Sequence, residues 1–268
     1  MTQINTMTGV ANGELWGHRA LDWAKYQEAT MAPVFDAVLD RTGVTEGTRL
    51  LDIGCGAGLA AAKASALGAV VTGLDASNAL VGIARSRLPA SDFHIGDLQD
   101  LPFDDGSFDL VTSFNAIQYA GDVVKALSEI KRVLAPGGKV AIATWGDPEG
   151  MEAAKVVTVI KPLLPPPPPN APGPFALSDD TLLREFVERG GFQSYDMFDV
   201  DSPWFYPDQE AALAGLAASG VAAKAISLAG QEAVDQAHLS AIEPYRKADG
   251  SIEFSATFKV VLARRAID

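Results

Sequence analysis

The chain reads as an α/β fold, a doubly wound sheet of mostly parallel strands with helices on both faces. Three observations carry that reading: five short apolar runs between residues 46 and 146, helix-like segments alternating with them, and a glycine-rich turn directly after the first run. Arg49-Leu-Leu-Asp-Ile53 is the first strand, and Ala-rich residues 60–67 the first helix, closed by Gly68. Ala69-Val-Val-Thr-Gly-Leu-Asp75 is the second strand. Residues 77–88 form the next helix, with Ser77 as N-cap and Pro89 beyond its end. Asp92-Phe-His-Ile-Gly-Asp97 and Phe108-Asp-Leu-Val-Thr-Ser-Phe114 follow as strands. From Asp122 to Leu134, Val123, Val124, Leu127, Ile130, Val133 and Leu134 recur at helical spacing, with Lys131 and Arg132 in the last turn, where cations suit the helix dipole. Pro136-Gly-Gly138 stops that helix and residues 139–145 make the fifth strand.

Beyond Gly146 the composition changes. Eight of the 16 prolines lie between Pro162 and Pro174, including an unbroken run at 165–169. Five prolines in polyproline II form a stiff rod of roughly 15 Å. Such a rod can be a spacer, a wall of a substrate opening or a docking site for a proline-binding module, and its place between folded segments favours the first two. A helix then starts at Ser178, read as its N-cap, and stops at Gly190-Gly191. Residues 195–206 alternate as one strand, 208–247 are helical and Ala-rich, and 251–264 alternate with period two as a closing strand.

The chain has 268 residues, 48% of them hydrophobic, enough for one elaborated domain with a packed core. With 34 acidic against 21 basic residues, its net charge of −13 argues against a nucleic-acid partner, because that affinity comes from Lys and Arg on phosphates. No apolar run is long enough to span a membrane, and the first residues lack the pattern of a signal peptide. The single cysteine, Cys55, rules out an intrachain disulfide and a Cys-based zinc site. These features lead to the expectation of a soluble, cytoplasmic protein.

Asp52-Ile-Gly-Cys-Gly-Ala-Gly58 carries glycines at alternate positions between a strand and a helix, so a ligand can approach the backbone without Cβ interference. The dinucleotide fingerprint Gly-x-Gly-x-x-Gly is not met, since the third glycine comes one residue early. A P-loop would need Gly-Lys-Ser/Thr, which is absent. Two carboxylates strengthen a nucleoside reading. Asp75 ends the second strand, where it can accept both hydroxyls of a ribose, and Asp97 ends the third, where it can accept from a purine amine. Taken singly, either acid could merely cap a turn.

Asp52-Ile-Gly-Cys-Gly-Ala-Gly58, Gly73-Leu-Asp-Ala-Ser77, Gly96-Asp-Leu-Gln-Asp-Leu-Pro-Phe-Asp-Asp-Gly-Ser-Phe-Asp109 and Leu134-Ala-Pro-Gly-Gly138 resemble, in order and spacing, the successive motifs of class I S-adenosylmethionine-dependent methyltransferases. The likeness is greatest to the group with the ubiquinone/menaquinone and small-molecule enzymes. It covers about residues 14–146, and more loosely 175–205 and 251–264. The resemblance implies a Rossmann-like seven-stranded sheet whose last strand is antiparallel, in a single domain. Residues 1–45 would be an N-terminal lid, 46–146 the cofactor-binding core, 147–250 a proline-rich connector, helix, strand and helical cap, and 251–264 the final strand. It implies S-adenosyl-L-methionine as cofactor, with Gly54, Cys55 and Gly56 at its methionine part, Asp52 supporting that loop, and Asp75 with Ala76 at the ribose. Asp97 and Leu98 would hold the adenine, Asn115 and Ala116 would lie near the sulfonium, and Gln118 and Tyr119 would face the acceptor. Cys55 occupies a position commonly Cys in the family, against a reactive thiol.

Methyl transfer needs alignment first, and a general base only if the acceptor must lose a proton. Among the three histidines, His94 lies in a strand and reads as packed or surface. His18, in an aromatic-rich segment ahead of the sheet, is the first candidate base, and His238 in the C-terminal helices the second. Trp16, Trp23 and Tyr26 are either lid residues or a helix face packed on the core; aromatic rings beside a sulfonium would be favourable. Trp204, in the run Trp204-Phe-Tyr206, either lines an acceptor pocket or packs in a strand. The acids are too spread for a metal centre, so no metal is expected. The Ala-rich cap implies a small, partly hydrophobic acceptor. A non-catalytic binder of S-adenosylmethionine or S-adenosylhomocysteine and, behind it, a nucleotide-dependent oxidoreductase are the alternatives. The oligomeric state is not legible.

Overall fold

The computed structural model describes residues 7–166 and 174–265. Residues 167–169 of the proline run, and with them the choice between spacer, wall and docking site, lie outside the described residues.

Helices α1 (Gly9–Gly17) and α2 (Ala20–Asp22) lead into a π-helical turn, Trp23–Gln27, a 3-10 turn, Glu28–Met31, and α3 (Ala32–Thr42). The sheet then builds up as β1 (Arg49–Ile53), α4 (Leu59–Ala66), β2 (Val70–Asp75), α5 (Asn78–Arg87), β3 (Asp92–Ile95), β4 (Phe108–Phe114), α6 (Val123–Val133) and β5 (Leu134–Trp145). After α7 (Ala153–Thr158) come α8 (Asp180–Arg189), β6 (Phe192–Asp201), β7 (Trp204–Tyr206), α9 (Gln209–Ala217), α10 (Gly220–Ala229), α11 (Gln231–Ile242), β8 (Ile252–Phe254) and β9 (Thr257–Arg265). Seven strands form one sheet in the order β3-β2-β1-β4-β5-β9-β6. Its last strand, β9, runs antiparallel between β5 and β6.

Neighbouring residues of the central strands point to opposite faces, as the pleat requires. Leu50, Leu110, Ala141 and Val260 pack on α3 and α4, while Leu51, Val111, Ile142 and Val261 pack on α6 and α8. Both faces are therefore covered, which explains near-continuous apolar runs in place of clean alternation. The order reverses between β1 and β4, so a crevice opens beyond the carboxyl ends of those two strands.

Ser77 caps α5 as expected, its hydroxyl accepting from the Leu80 amide, and Asp122 caps α6 by accepting from Val124 and Lys125. Three expectations are corrected. Asp179, and not Ser178, caps α8; its carboxylate accepts from the Thr181 and Leu182 amides, two orphan donors that one charged group satisfies together. The strand at 195–206 is two strands. Pro203 has no amide for a ladder, and buried Ser202 turns away to give its amide to Ala256 and its hydroxyl to Thr30. The closing strand splits likewise at Ser255, whose amide and hydroxyl go to Glu152, so β8 pairs with β7 in a separate two-stranded sheet. In addition, β5 begins at Leu134, opposite Phe108, before the Pro-Gly-Gly turn.

Among the described residues no single helix is long and apolar enough to cross a membrane.

Candidate cofactor and acceptor site

Asp52 is buried on β1 in register with Thr112 of β4, whose hydroxyl donates to it at 2.7 Å. The chain leaves β1 through Gly54, Gly56 and Gly58, all with positive φ. At Gly54 a Cβ would lie 2.3 Å from that of Ala116, so no side chain fits there. Asp75, at the end of β2, binds this loop: one carboxylate oxygen accepts from the Gly56 amide at 2.9 Å and the other from Ser77 at 2.8 Å. Burial pushes the Asp75 carboxyl up from the ordinary carboxylate range, against those amide hydrogen bonds. Asp97 accepts from the Gly9 amide at 2.6 Å and, through its other oxygen, from the Gln99 amide at 2.9 Å.

These groups surround one cavity. Gly54, Gly56, Asp75, Ala76, Asp97, Leu98, Asn115 and Ala116 all line it. Asp52 and Cys55 do not. Asp52 supports the loop from behind, and Cys55 is packed in the core with its thiol pushed well up by burial and the nearby carboxylates. Among the described residues the lining holds two carboxylates and no Lys or Arg, an electrostatic setting that suits a cationic sulfonium and opposes a pyrophosphate. Asn115, just past β4, has φ 51°, alone among the described non-glycine residues in being positive, and accepts from the Gln118 amide nitrogen. Gln118 therefore buttresses Asn115 and lines neither cavity.

Helix α1 closes the cavity from above, which sequence reasoning reached only as an unassigned lid. Gly9, Gly13 and Gly17 recur every four residues on one face and meet Asp97, Ala76 and Ser77. Thr8 and Asn12 donate to the Tyr119 carbonyl, both at 3.0 Å. The spacing of those glycines was the available signal.

A second cavity opens beside the first. The two share Trp16, Trp23, Met31, Asn115 and Tyr119. Trp16 meets Trp23 and Tyr119 edge-on at 5.1 and 5.4 Å, and burial pushes the Tyr119 phenol up to about 12. The rest of the second wall comes from Trp145, Trp204, Phe258, the helices of the cap and His238. Trp204 thus lines this cavity; Phe205 is exposed, and buried Tyr206 donates to Gln27 at 2.7 Å.

The structure does not bring His18 to either cavity: it is exposed at the end of α1. Tyr26 also stays outside, under the Lys25 ammonium at 4.5 Å. His94 lies half-buried beside Asp92 at 2.8 Å. His238 is the histidine on a cavity wall, 1% exposed, and burial pushes its imidazole down to about 4. Among the described residues no three His, Cys, Asp or Glu side chains converge as metal ligands would.

Residues 51–142 match the family model described as a methyltransferase domain. A demethylmenaquinone methyltransferase of Renibacterium salmoninarum is 37% identical over 111 residues, which are 41% of this chain and 47% of that protein. The chain thus spans about half the length of curated relatives it matches. Among solved structures, the [4+2]-cyclase SpnF superposes with a TM-score of 0.56 at 22% identity, over 88% of this chain and 80% of that one. A SAM dependent methyltransferase from Aquifex aeolicus superposes with a TM-score of 0.51 at 19% identity, over 68% and 92%. At such identities these two likenesses concern the fold.

Proposed function

We propose that this chain, whose residues 51–142 form a class I S-adenosylmethionine-dependent methyltransferase domain, transfers a methyl group to a small, partly hydrophobic acceptor held in the second cavity. The bound cofactor would supply an electrophilic methyl on a sulfonium. Asp75 would hold the ribose with the lone pairs its two amide partners leave free, and Asp97 and Leu98 would hold the adenine. Gly54 and Gly56 would let the methionine part lie on the backbone.

The single observation behind this reading is the junction of the two cavities at Trp16, Trp23, Met31, Asn115 and Tyr119. Aromatic faces there favour a cation without bonding to it, and the surrounding apolar wall excludes water. The chain's contribution is then mainly alignment of nucleophile and methyl carbon, which can supply much of the rate. His18 is not carried forward as a base.

The match to a methyltransferase domain does not favour the oxidoreductase or the non-catalytic binder. SpnF, named a cyclase, is a reminder that the fold alone does not choose the reaction. Calorimetry with S-adenosylhomocysteine is expected to show micromolar or tighter binding, weakened about a hundredfold or more by Asp75→Ala, which removes an acceptor of charge-assisted hydrogen bonds. Absence of binding by the parent chain would remove the reading. Binding without turnover over an acceptor panel would leave only the cofactor site.

A further inference from the structure

Resting on that reading, we infer that the second cavity takes a neutral, flat aromatic acceptor bearing a hydroxyl, and that His238 of α11 receives this hydroxyl. The evidence is what the wall contains and what it lacks. Among the described residues no Asp, Glu, Lys or Arg lines this cavity. A carboxylate, a phosphate or an ammonium entering it would lose its water with no counter-ion in return. Its surface is instead rich in aromatic rings, Trp16, Trp23, Trp145, Trp204, Tyr119 and Phe258, beside the uncharged Gln27, Thr30, Asn115 and Ser219. Trp145 stacks on Phe258 at 4.9 Å and is tilted against Trp204 at 5.7 Å. Such walls take a flat ring by offset or edge contacts.

Two buried, unpaired polar atoms belong to this wall. The indole nitrogen of Trp204 and Nδ1 of His238 have no hydrogen-bond partner among the described residues, whereas the unpaired indole nitrogen of Trp23 lies beside Gly56, on the first cavity's side. Native interiors satisfy nearly all such atoms, so two left unpaired on one cavity wall point to a ligand. Among the described residues the His238 ring makes no hydrogen bond through either nitrogen. Its acidic neighbour Asp235, three residues earlier on α11, accepts from Gln231 at 2.7 Å. Burial outweighs the charge of Asp235, so the ring is neutral and offers one lone pair and one N–H. The Trp204 indole only donates. A hydroxyl is the smallest neutral group that both donates to an imidazole lone pair and accepts from an indole N–H. An ether can only accept.

The test uses the full chain saturated with S-adenosylhomocysteine and three probes of one shape: 2-naphthol, 2-methoxynaphthalene and 2-naphthoate. Calorimetry is expected to show 2-naphthol binding about tenfold tighter than the ether and about a hundredfold tighter than the carboxylate. His238→Phe keeps an aromatic ring and should remove the preference for naphthol over the ether, with S-adenosylhomocysteine affinity unchanged. His238→Gln, which again offers an acceptor and a donor, should restore most of that preference even if the Phe variant proves poorly folded. The inference is overturned if naphthoate binds as tightly as naphthol, if no naphthalene probe binds, or if both variants keep the parent's preference. Those failures leave the methyltransferase reading standing, whereas loss of S-adenosylhomocysteine binding in the parent chain ends both.

Discussion

Gly13→Ala is expected to lower S-adenosylhomocysteine affinity about a hundredfold while the apo protein stays folded. The added Cβ would stand 2.2 Å from the carbonyl oxygen of Ala76 and 2.7 Å from its carbon. Neither atom can yield cheaply, because Asp75 on one side and Ser77 on the other are joined by the hydrogen bond that shapes this loop. Helix α1 must therefore lift. Lifting breaks the Gly9 contact with Asp97 and the Thr8 and Asn12 contacts with Tyr119, and uncovers the cofactor cavity. No residue of α1 is fully buried, and its apolar anchor Trp16 packs on Trp23 and Tyr119 at the cavity mouth, so the sheet core keeps its packing when the helix leaves. Helix propensity points the other way, since an alanine in place of a helical glycine ordinarily stabilises by about 1 kcal/mol. Gly82→Ala on α5 supplies the control, because a Cβ there meets nothing within 4 Å. Calorimetry and thermal melting of the two variants decide the matter: Gly13→Ala binding within about threefold of the parent, less than 1 kcal/mol, would refute a seated lid.

A second pair of variants should expose two buried groups whose pH dependences oppose one another. Burial, reinforced by Glu28 and Asp75, pushes the Asp52 carboxyl up to about 7 from 3.8, whereas burial pushes His238 down to about 4 from 6.5. Between pH 4 and 6.5 the unfolded chain binds more protons at position 238 than the folded one. The stability that His238 contributes is therefore complete above its unfolded pKa and lost as pH falls through its folded pKa. At Asp52 the folded state binds more protons between about pH 3.8 and 7, so acidification across that window stabilises it. At 1.36 kcal/mol per pKa unit, the full shift is worth roughly 4 kcal/mol at Asp52 and roughly 3 at His238, with opposite signs. In the parent chain the two largely offset. From pH 7 to pH 4, Asp52→Asn should lose about 3 kcal/mol relative to the parent, and His238→Phe should gain a similar amount. Urea denaturation at the two pH values measures both, and parallel behaviour of the three proteins would contradict the assignment.

Most of the parallel half was legible because its signals are local. The run Arg49-Leu-Leu-Asp-Ile53, the helical spacing after Asp122 and the cap at Ser77 each depend on neighbours within a few residues. The glycine loop and the strand-end acids Asp75 and Asp97 were legible for the same reason, since a strand end and the turn after it specify where a carboxylate stands. The cap was read only as helical composition. Alternation at 195–206 and 251–264 could not show that each stretch changes sheet, because the change is made by Ser202 bonding to Thr30 and Ala256 and by Ser255 bonding to Glu152. His18 was preferred over His238 on nearness in the chain to aromatic residues, and distance in sequence misled.

Sequence alone was enough for the doubly wound sheet, because period, capping and backbone freedom are properties of adjacent residues. The antiparallel last strand and the eight residues lining the first cavity came from the order and spacing of motifs that resemble a known family. Tertiary structure alone decided that α1 seats on three glycines, that Gln118 serves Asn115, and that Trp16, Trp23, Trp145, Trp204 and His238 face one cavity. Those residues come from the two ends and the middle of the chain. Their meeting is fixed by how the sheet and its cap pack, which no local pattern encodes.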